Sequence, residues 1–142
     1  MTAEQLEHAN LTVKNIDAVV FFITSAMPTW AIRGQGSMDW FGKRIRWLHI
    51  GTATCYLALQ DGGEGDGLKW TEHQVGMKHL GMVVPSVDAV AHRLEVAGYP
   101  MNHWGGAHPH RRSAYFSADD HLQFEFIEYL SADDSQRNAY EP

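Results

Sequence analysis

HANLTVKNIDAVVFFI (residues 8–23) and HLGMVVPSVDAVAHRL (residues 79–94) align without a gap, half the chain apart. Both begin with histidine, share Val13 and Val84, and carry Asp-Ala-Val at 17–19 and 88–90. Ile16 over Val87 and Ile23 over Leu94 are conservative matches. A gapless match that also preserves the pattern of apolar positions points to a duplicated supersecondary unit.

Each copy reads as a strand followed by a helix. Ala9, Leu11 and Val13 alternate with His8, Asn10 and Thr12, and Leu80, Met82 and Val84 alternate with His79, Gly81 and Val83. Side chains alternate faces along a strand, so the apolar set meets a covering helix and each histidine points to the opposite face. Asn15 and Ser86 suit an N-cap, and Asp17 and Asp88 suit a first helical turn. The helices are expected over 16–26 and 87–97, ended by Pro28 after the first and Gly98 after the second.

Short β-like runs follow each helix. They are TWAIRG, KRIRWLHIG and TCYLALQ in the first half, and PMNHW, RRSAYFS and HLQFEFIEYL in the second. Each half is then β-α-β-β-β. The expected fold is α+β: two βαβββ modules forming facing curved mixed sheets around a cleft, with helices outside. Module one spans about 4–62 and module two about 71–131 within a single domain. The glycine-rich, acidic DGGEGDGLKW at 61–70 is the linker, and 132–142 is a polar tail with a short helix or a loose end.

Composition narrows the functional classes. Apolar residues make up 44% and charged residues 20%, as in soluble globular proteins. The net charge is −6 and no basic block stands out, which argues against nucleic acid as a partner. No apolar run is long enough for a membrane span. The acidic start MTAEQLEHANL gives no reason to expect a signal peptide, and a cytoplasmic location is expected. The one cysteine, Cys55, lies in an apolar run and is expected to be a buried, reduced side chain.

If the two sheets face each other, His8 and His79 form a natural pair of metal ligands. A third ligand is expected from the last strand, LQFEFIE. Phe124 and Phe126 take the helix-packed face, leaving Gln123, Glu125 and Ile127 on the other. A glutamate in the middle of an apolar strand is costly unless paired or metal-bound. Glu128 has the opposite parity and suits a surface role.

The pattern hHxxhxVxxhDxV, its recurrence in mid-chain and the closing YFSADDHLQFEFIEYL resemble the vicinal oxygen chelate superfamily. That group includes glyoxalase I, methylmalonyl-CoA epimerase, fosfomycin- and bleomycin-resistance proteins and type I extradiol dioxygenases. Its last strand typically reads Asp-Pro-Asp-Gly-Asn-x-x-Glu-Leu, and the corresponding stretch here is ADDHLQFEF at 118–126. The resemblance puts Glu125 on the metal-ligand glutamate and His8 and His79 on the two first-strand ligand positions. His121 replaces the usual Gly and Ala118 the usual Asp, so a differently shaped turn is expected. The fourth ligand position belongs on TCYLALQ. Matching Leu57 and Leu59 to Phe124 and Phe126 puts Ala58 there and leaves three ligands. A shift of two puts Gln60 there as a possible fourth. Glutamine is a weak ligand and Gln60 borders the linker, which favours three.

The resemblance implies a divalent-metal enzyme of glyoxalase or dioxygenase type, a lyase, isomerase or dioxygenase, acting on a small oxygen-rich substrate. The metal (Fe, Mn, Ni or Zn) would act as a Lewis acid, and Glu125 would double as the catalytic base. A homodimer is also implied. The alternative is a metal-free protein of bleomycin-resistance type that sequesters a drug or metabolite between its tryptophans. Candidate substrate-binding residues are Arg111 and Arg112, as a bidentate clamp for an anion, with Tyr115, Trp47 and Arg33; Trp30 is expected near the cavity. His103, His108 and His110 are expected in a surface loop, and His73 and His92 as exposed residues without a role.

Overall fold

Alternation of exposed and covered residues along His8-Ala9-Asn10-Leu11-Thr12 sets the first strand, β1 (His8–Thr12). The computed structural model describes residues 3–140; residues 1, 2, 141 and 142, the ends of the N-terminal stretch and of the polar tail, lie outside them. The chain divides into two compact units, Met1–Gly65 and Asp66–Pro142.

In unit one, β1 leads to α1 (Ile16–Ala26), β2 (Ala31–Trp40), β3 (Lys43–Gly51) and β4 (Tyr56–Gln60). Unit two repeats the order with β5 (Leu80–Val83), α2 (Val87–Val96), β6 (Met101–Trp104), β7 (Arg111–Asp119) and β8 (Leu122–Tyr129), and adds α3 (Asp134–Arg137) in the polar tail. The sheets run β1-β4-β3-β2 and β5-β8-β7-β6. Only the β1–β4 and β5–β8 pairs are parallel, so both sheets are mixed. The protein is α+β, built from two βαβββ units.

The helices start where their caps dictate. Asn15 Oδ1 accepts the Ala18 N–H at 3.0 Å and Ser86 Oγ accepts the Ala89 N–H at 3.1 Å. Gly98, at φ 95°, takes the left-handed turn after α2. Val19, Phe22 and Ile23 of α1 are buried with Leu48, Ile50, Leu57 and Leu59 of the sheet. Val87, Val90 and Leu94 of α2 are buried with Phe116, Phe124 and Phe126. These are the helix-facing positions that strand parity assigns.

The duplication extends to charge. Arg46 Nη1 donates to Asp17 Oδ1 at 2.9 Å, and Arg112 donates from both Nη atoms to Asp88 at 2.9 and 3.1 Å. Each pair ties a sheet strand to the first turn of its helix, where a carboxylate also complements the helix dipole. Glu128 is part of this device: its Oε1 accepts the Val87 N–H at 2.9 Å, so it caps α2 rather than serving as a plain surface charge.

The hydrogen bond from Arg112, helped by its charge, holds the Asp88 carboxyl below its ordinary value. A depressed folded pKa means stability that is present above the unfolded pKa, about 3.9, and lost as pH falls through the folded one. Asp88→Asn should therefore lower the melting temperature modestly at pH 7, an exposed pair being weak. The gap to the parent should close in melts recorded at progressively lower pH below about 4.

Two local features differ from expectation. β2 continues through QGSMDW to Trp40, and a two-residue hairpin of Phe41 (φ 47°) and Gly42 (φ 90°) returns it to β3. Positive φ at both positions matches the twist of the flanking strands. Cys55 is exposed, not buried. It precedes β4 in a tight turn where the Thr52 N–H donates to Cys55 O at 2.8 Å, and that turn lifts its side chain off the apolar face.

Candidate metal and substrate site

In unit two, Gly81 of β5 pairs with Glu125 of β8, and Tyr115 of β7 pairs with Glu125 from the other side. Paired residues on neighbouring strands share a face. Glu125 thus lies between Gly81 and Tyr115 on the face away from Phe124 and Phe126. His79 stands just before β5 with the parity of Gly81, and its Nε2 is 3.3 Å from Glu125 Oε1. Among the described residues no lysine or arginine pairs with Glu125.

The Tyr115 hydroxyl lies on the same side of the sheet as Glu125, its partner in register. Burial first, then hydrogen bonding to Glu125 and the carboxylate's charge, push the phenol up to about 12. The Tyr115 ring meets His79 edge-on at 5.2 Å and stacks on His103 at 4.3 Å. His103 Nδ1 is 2.7 Å from Trp104 O. A carbonyl only accepts, so Nδ1 holds the proton and neutral His103 keeps its lone pair on Nε2. Buried Gln123 donates to Asn102 Oδ1 at 3.0 Å and is thereby satisfied.

In unit one, His8 pairs with Tyr56 and its ring stacks on Tyr56 at 4.8 Å. His49 lies against Tyr56 at 4.7 Å, and the Arg33 guanidinium covers the same ring at 4.1 Å. Trp47 meets His49 at 5.1 Å. A pocket of about 310 Å³ opens beside them, lined by Asn10, Met38, Trp40, Trp47, His49, Ala58 and Gln60. His8, Arg33, Trp47 and the pocket therefore share one face of the unit-one sheet.

The registers match positions of the two units. β1 Asn10 pairs with Ala58 as β5 Gly81 pairs with Glu125, so Ala58 is the counterpart of Glu125 and Gln60 the counterpart of Ile127. The turn before β8 is held by Asp119, whose Oδ1 accepts the His121 N–H at 3.0 Å and lies 3.2 Å from His121 Nδ1. The pairing of β7 with β8 shifts by one residue between Ser117 and Asp119, beside this turn.

Other sequence candidates fall elsewhere. Arg112 is on the helix side, held by Asp88, and is not brought to Glu125. Arg111 donates to Arg137 O at 3.1 Å, tying down the tail. The half-buried His108 Nε2 does the same with Ala139 O at 2.7 Å. The pattern does not point to His103 and His49 as members of the site. The missed signal is that both share a sheet face with a ligand candidate: His103 pairs with Tyr115, and His49 occupies in unit one the register position of Tyr115.

Solved structures match this architecture over nearly the whole chain. A glyoxylase/bleomycin resistance protein/dioxygenase domain from Frankia sp. EAN1pec superposes with a TM-score of 0.73 at 20% identity, covering 97% of this chain and 100% of that one. A glyoxalase family protein from Bacillus cereus gives 0.75 at 11% identity, covering 92% and 97%. The chain has the vicinal oxygen chelate fold. A fosfomycin resistance protein, FosX, from Listeria monocytogenes, crystallised with Mn(II) and 1S,2S-dihydroxypropylphosphonic acid, shares this vicinal oxygen chelate architecture with a TM-score of 0.68 at 20% identity over 97% of this chain and 100% of its own. No protein-family model matches the sequence, and no curated protein matches it.

Metal–nitrogen and metal–oxygen bonds of about 2.0–2.2 Å place neighbouring donors on one ion ~3.0–3.5 Å apart. The 3.3 Å separation of His79 Nε2 and Glu125 Oε1 fits that bite. The imidazole and carboxylate donors suit Fe, Mn, Ni or Zn. Among the described residues no group of three or more His, Cys, Asp or Glu side chains is gathered as a metal cluster. No helix is long and apolar enough to cross a membrane.

Proposed function

We propose that this protein is a divalent-metal-dependent enzyme acting on a small substrate that chelates through two adjacent oxygens. The observation that carries this reading is Glu125 at 3.3 Å from His79, in mid-strand, with no lysine or arginine against it among the described residues. His79 and Glu125 are the proposed ligands in unit two, and His8, at the matching place of the unit-one repeat, is the proposed ligand there. A bound divalent ion supplies Lewis acidity toward the chelating oxygens, the basis of isomerase, lyase and dioxygenase chemistry alike. The Mn(II) in the FosX neighbour's crystals supports a metal of this kind.

The remaining groups handle protons and shape. Tyr115 keeps its proton through the physiological range, so its hydroxyl stays a hydrogen-bond donor beside the Glu125 carboxylate. His103 and His49 offer imidazoles on the open faces as acid–base groups. Arg33 and Tyr56 wall the His8 side. The protein is read as a homodimer, to be checked by sedimentation.

Mn(II) titration of EDTA-treated protein, followed by the paramagnetic resonance signal of free Mn(II), tests the reading. About one ion should bind per chain, and Glu125→Gln should weaken binding by ~100-fold or more, since even loss of a supporting hydrogen bond costs 10–100-fold. Equal binding in parent and variant would remove Glu125 from the ligand set. No binding at all would favour the second reading, metal-free sequestration, which the aromatic pocket of unit one supports.

A further inference from the structure

We propose that the unit-one pocket recognises a planar aromatic ring bearing a neutral hydrogen-bonding edge group such as a hydroxyl. This deepens the proposed function, and rests on it only in taking the ring to be part of the substrate.

The first observation is the seat of Trp47. β2 carries glycine at both positions beneath its indole. A Cβ on Gly36 would come within 3.0 Å of the indole Nε1 and 3.1 Å of its ring carbons, and one on Gly34 would touch the ring at 3.8 Å. The indole therefore lies flat on bare backbone, and Trp47 lines the pocket. Held this way, it presents a fixed π surface at little conformational cost. Met38 and Trp40, both substantially exposed, add a soft thioether and a second indole to the wall.

The second observation is independent. Gln60 is only 8% exposed, yet its side-chain amide has no hydrogen-bond partner among the described residues, and it lines the same pocket. The amide is not among the fully buried polar atoms left without a partner, so it opens into the pocket and is free to bond what enters there. Its register position excludes it from the place equivalent to Glu125, so its amide is left to meet a ligand's polar edge. Besides His49, no titratable side chain among the described residues lines the pocket. That favours a hydroxyl or carbonyl over a carboxylate or phosphate. A volume of about 310 Å³ sits at the small end of ligand pockets and suits one or two fused rings.

Calorimetric titration of the EDTA-treated full chain tests this with three probes: 2-naphthol, its saturated counterpart decahydro-2-naphthol, and naphthalene. The 2-naphthol should bind about 10-fold more tightly than the saturated alcohol, the ring face making the difference. Trp47→Leu should erase that preference. Gln60→Leu should leave ring binding intact and close the gap between 2-naphthol and naphthalene. Gly36→Val, which keeps the indole but unseats it, should behave like Trp47→Leu and serves if that variant fails to fold. Equal affinity for the flat and saturated alcohols, undiminished ring preference in the Trp47 or Gly36 variant, or no binding of any probe overturns the proposal. Because metal is absent throughout, failure of ring binding and failure of metal binding are read separately.

Discussion

Phe124→Ala is expected to destabilise the protein by about 3–5 kcal/mol, measured as a shift in urea midpoint at unchanged slope. Phe124 has no exposed surface. It stacks on Phe126 at 5.9 Å, and Phe126 meets Phe116 edge-on at 6.1 Å. Removing the ring takes away its own burial and leaves a cavity among Phe116, Phe126 and the α2 residues. A β-strand gives such a cavity little room to collapse, because β8 is hydrogen-bonded on both sides. The loss is also transmitted to the site, since Glu125 is the next residue on the same strand. Phe124→Leu, which keeps most of the apolar volume, should cost markedly less.

His8→Ala and His79→Ala should each weaken Mn(II) binding by ~100-fold or more, and by similar factors. The two histidines occupy matching places in the repeat, and both stand on the sheet face opposite the helix. Each is set against an aromatic ring, His8 on Tyr56 and His79 against Tyr115. Both are partly exposed, with side-chain exposures of 44% and 32%, so neither substitution removes core packing and the folded baseline should hold. The effect is read as a change in metal affinity with the melting temperature of the metal-free protein nearly unchanged. A large effect for one histidine alone would mean that the duplication of sequence is not a duplication of role.

Much of this was legible in the sequence because it is periodic. Alternation at 8–13 and 79–84, with Asn15 and Ser86 as caps, sets strand, turn and helix in both halves. The parity of LQFEFIE separates Glu125 from its phenylalanine neighbours. What escaped the reading depends on register between strands, which no single stretch encodes. Ala58 and Gln60 have the same parity, and only the β1–β4 pairing tells them apart. Arg111 and Arg112 have opposite parity, and the guanidinium of Arg112 is drawn to Asp88 by a partner 24 positions away. His103 looks like a loop residue in NHWGG until β7 pairs it with Tyr115. The end of β2 was hidden by Gly34 and Gly36, poor strand formers that are there because Trp47 covers them. Cys55 shows the reverse error: apolar neighbours in sequence did not make it part of the apolar face.

The most direct measurement is the metal content of the purified, untagged protein by plasma mass spectrometry, beside His79→Ala. About one equivalent of Fe, Mn, Ni or Zn in the parent, lost in the variant, is the result expected if His79 belongs to a metal site. No metal in the parent, even after reconstitution with each ion in turn, would contradict it.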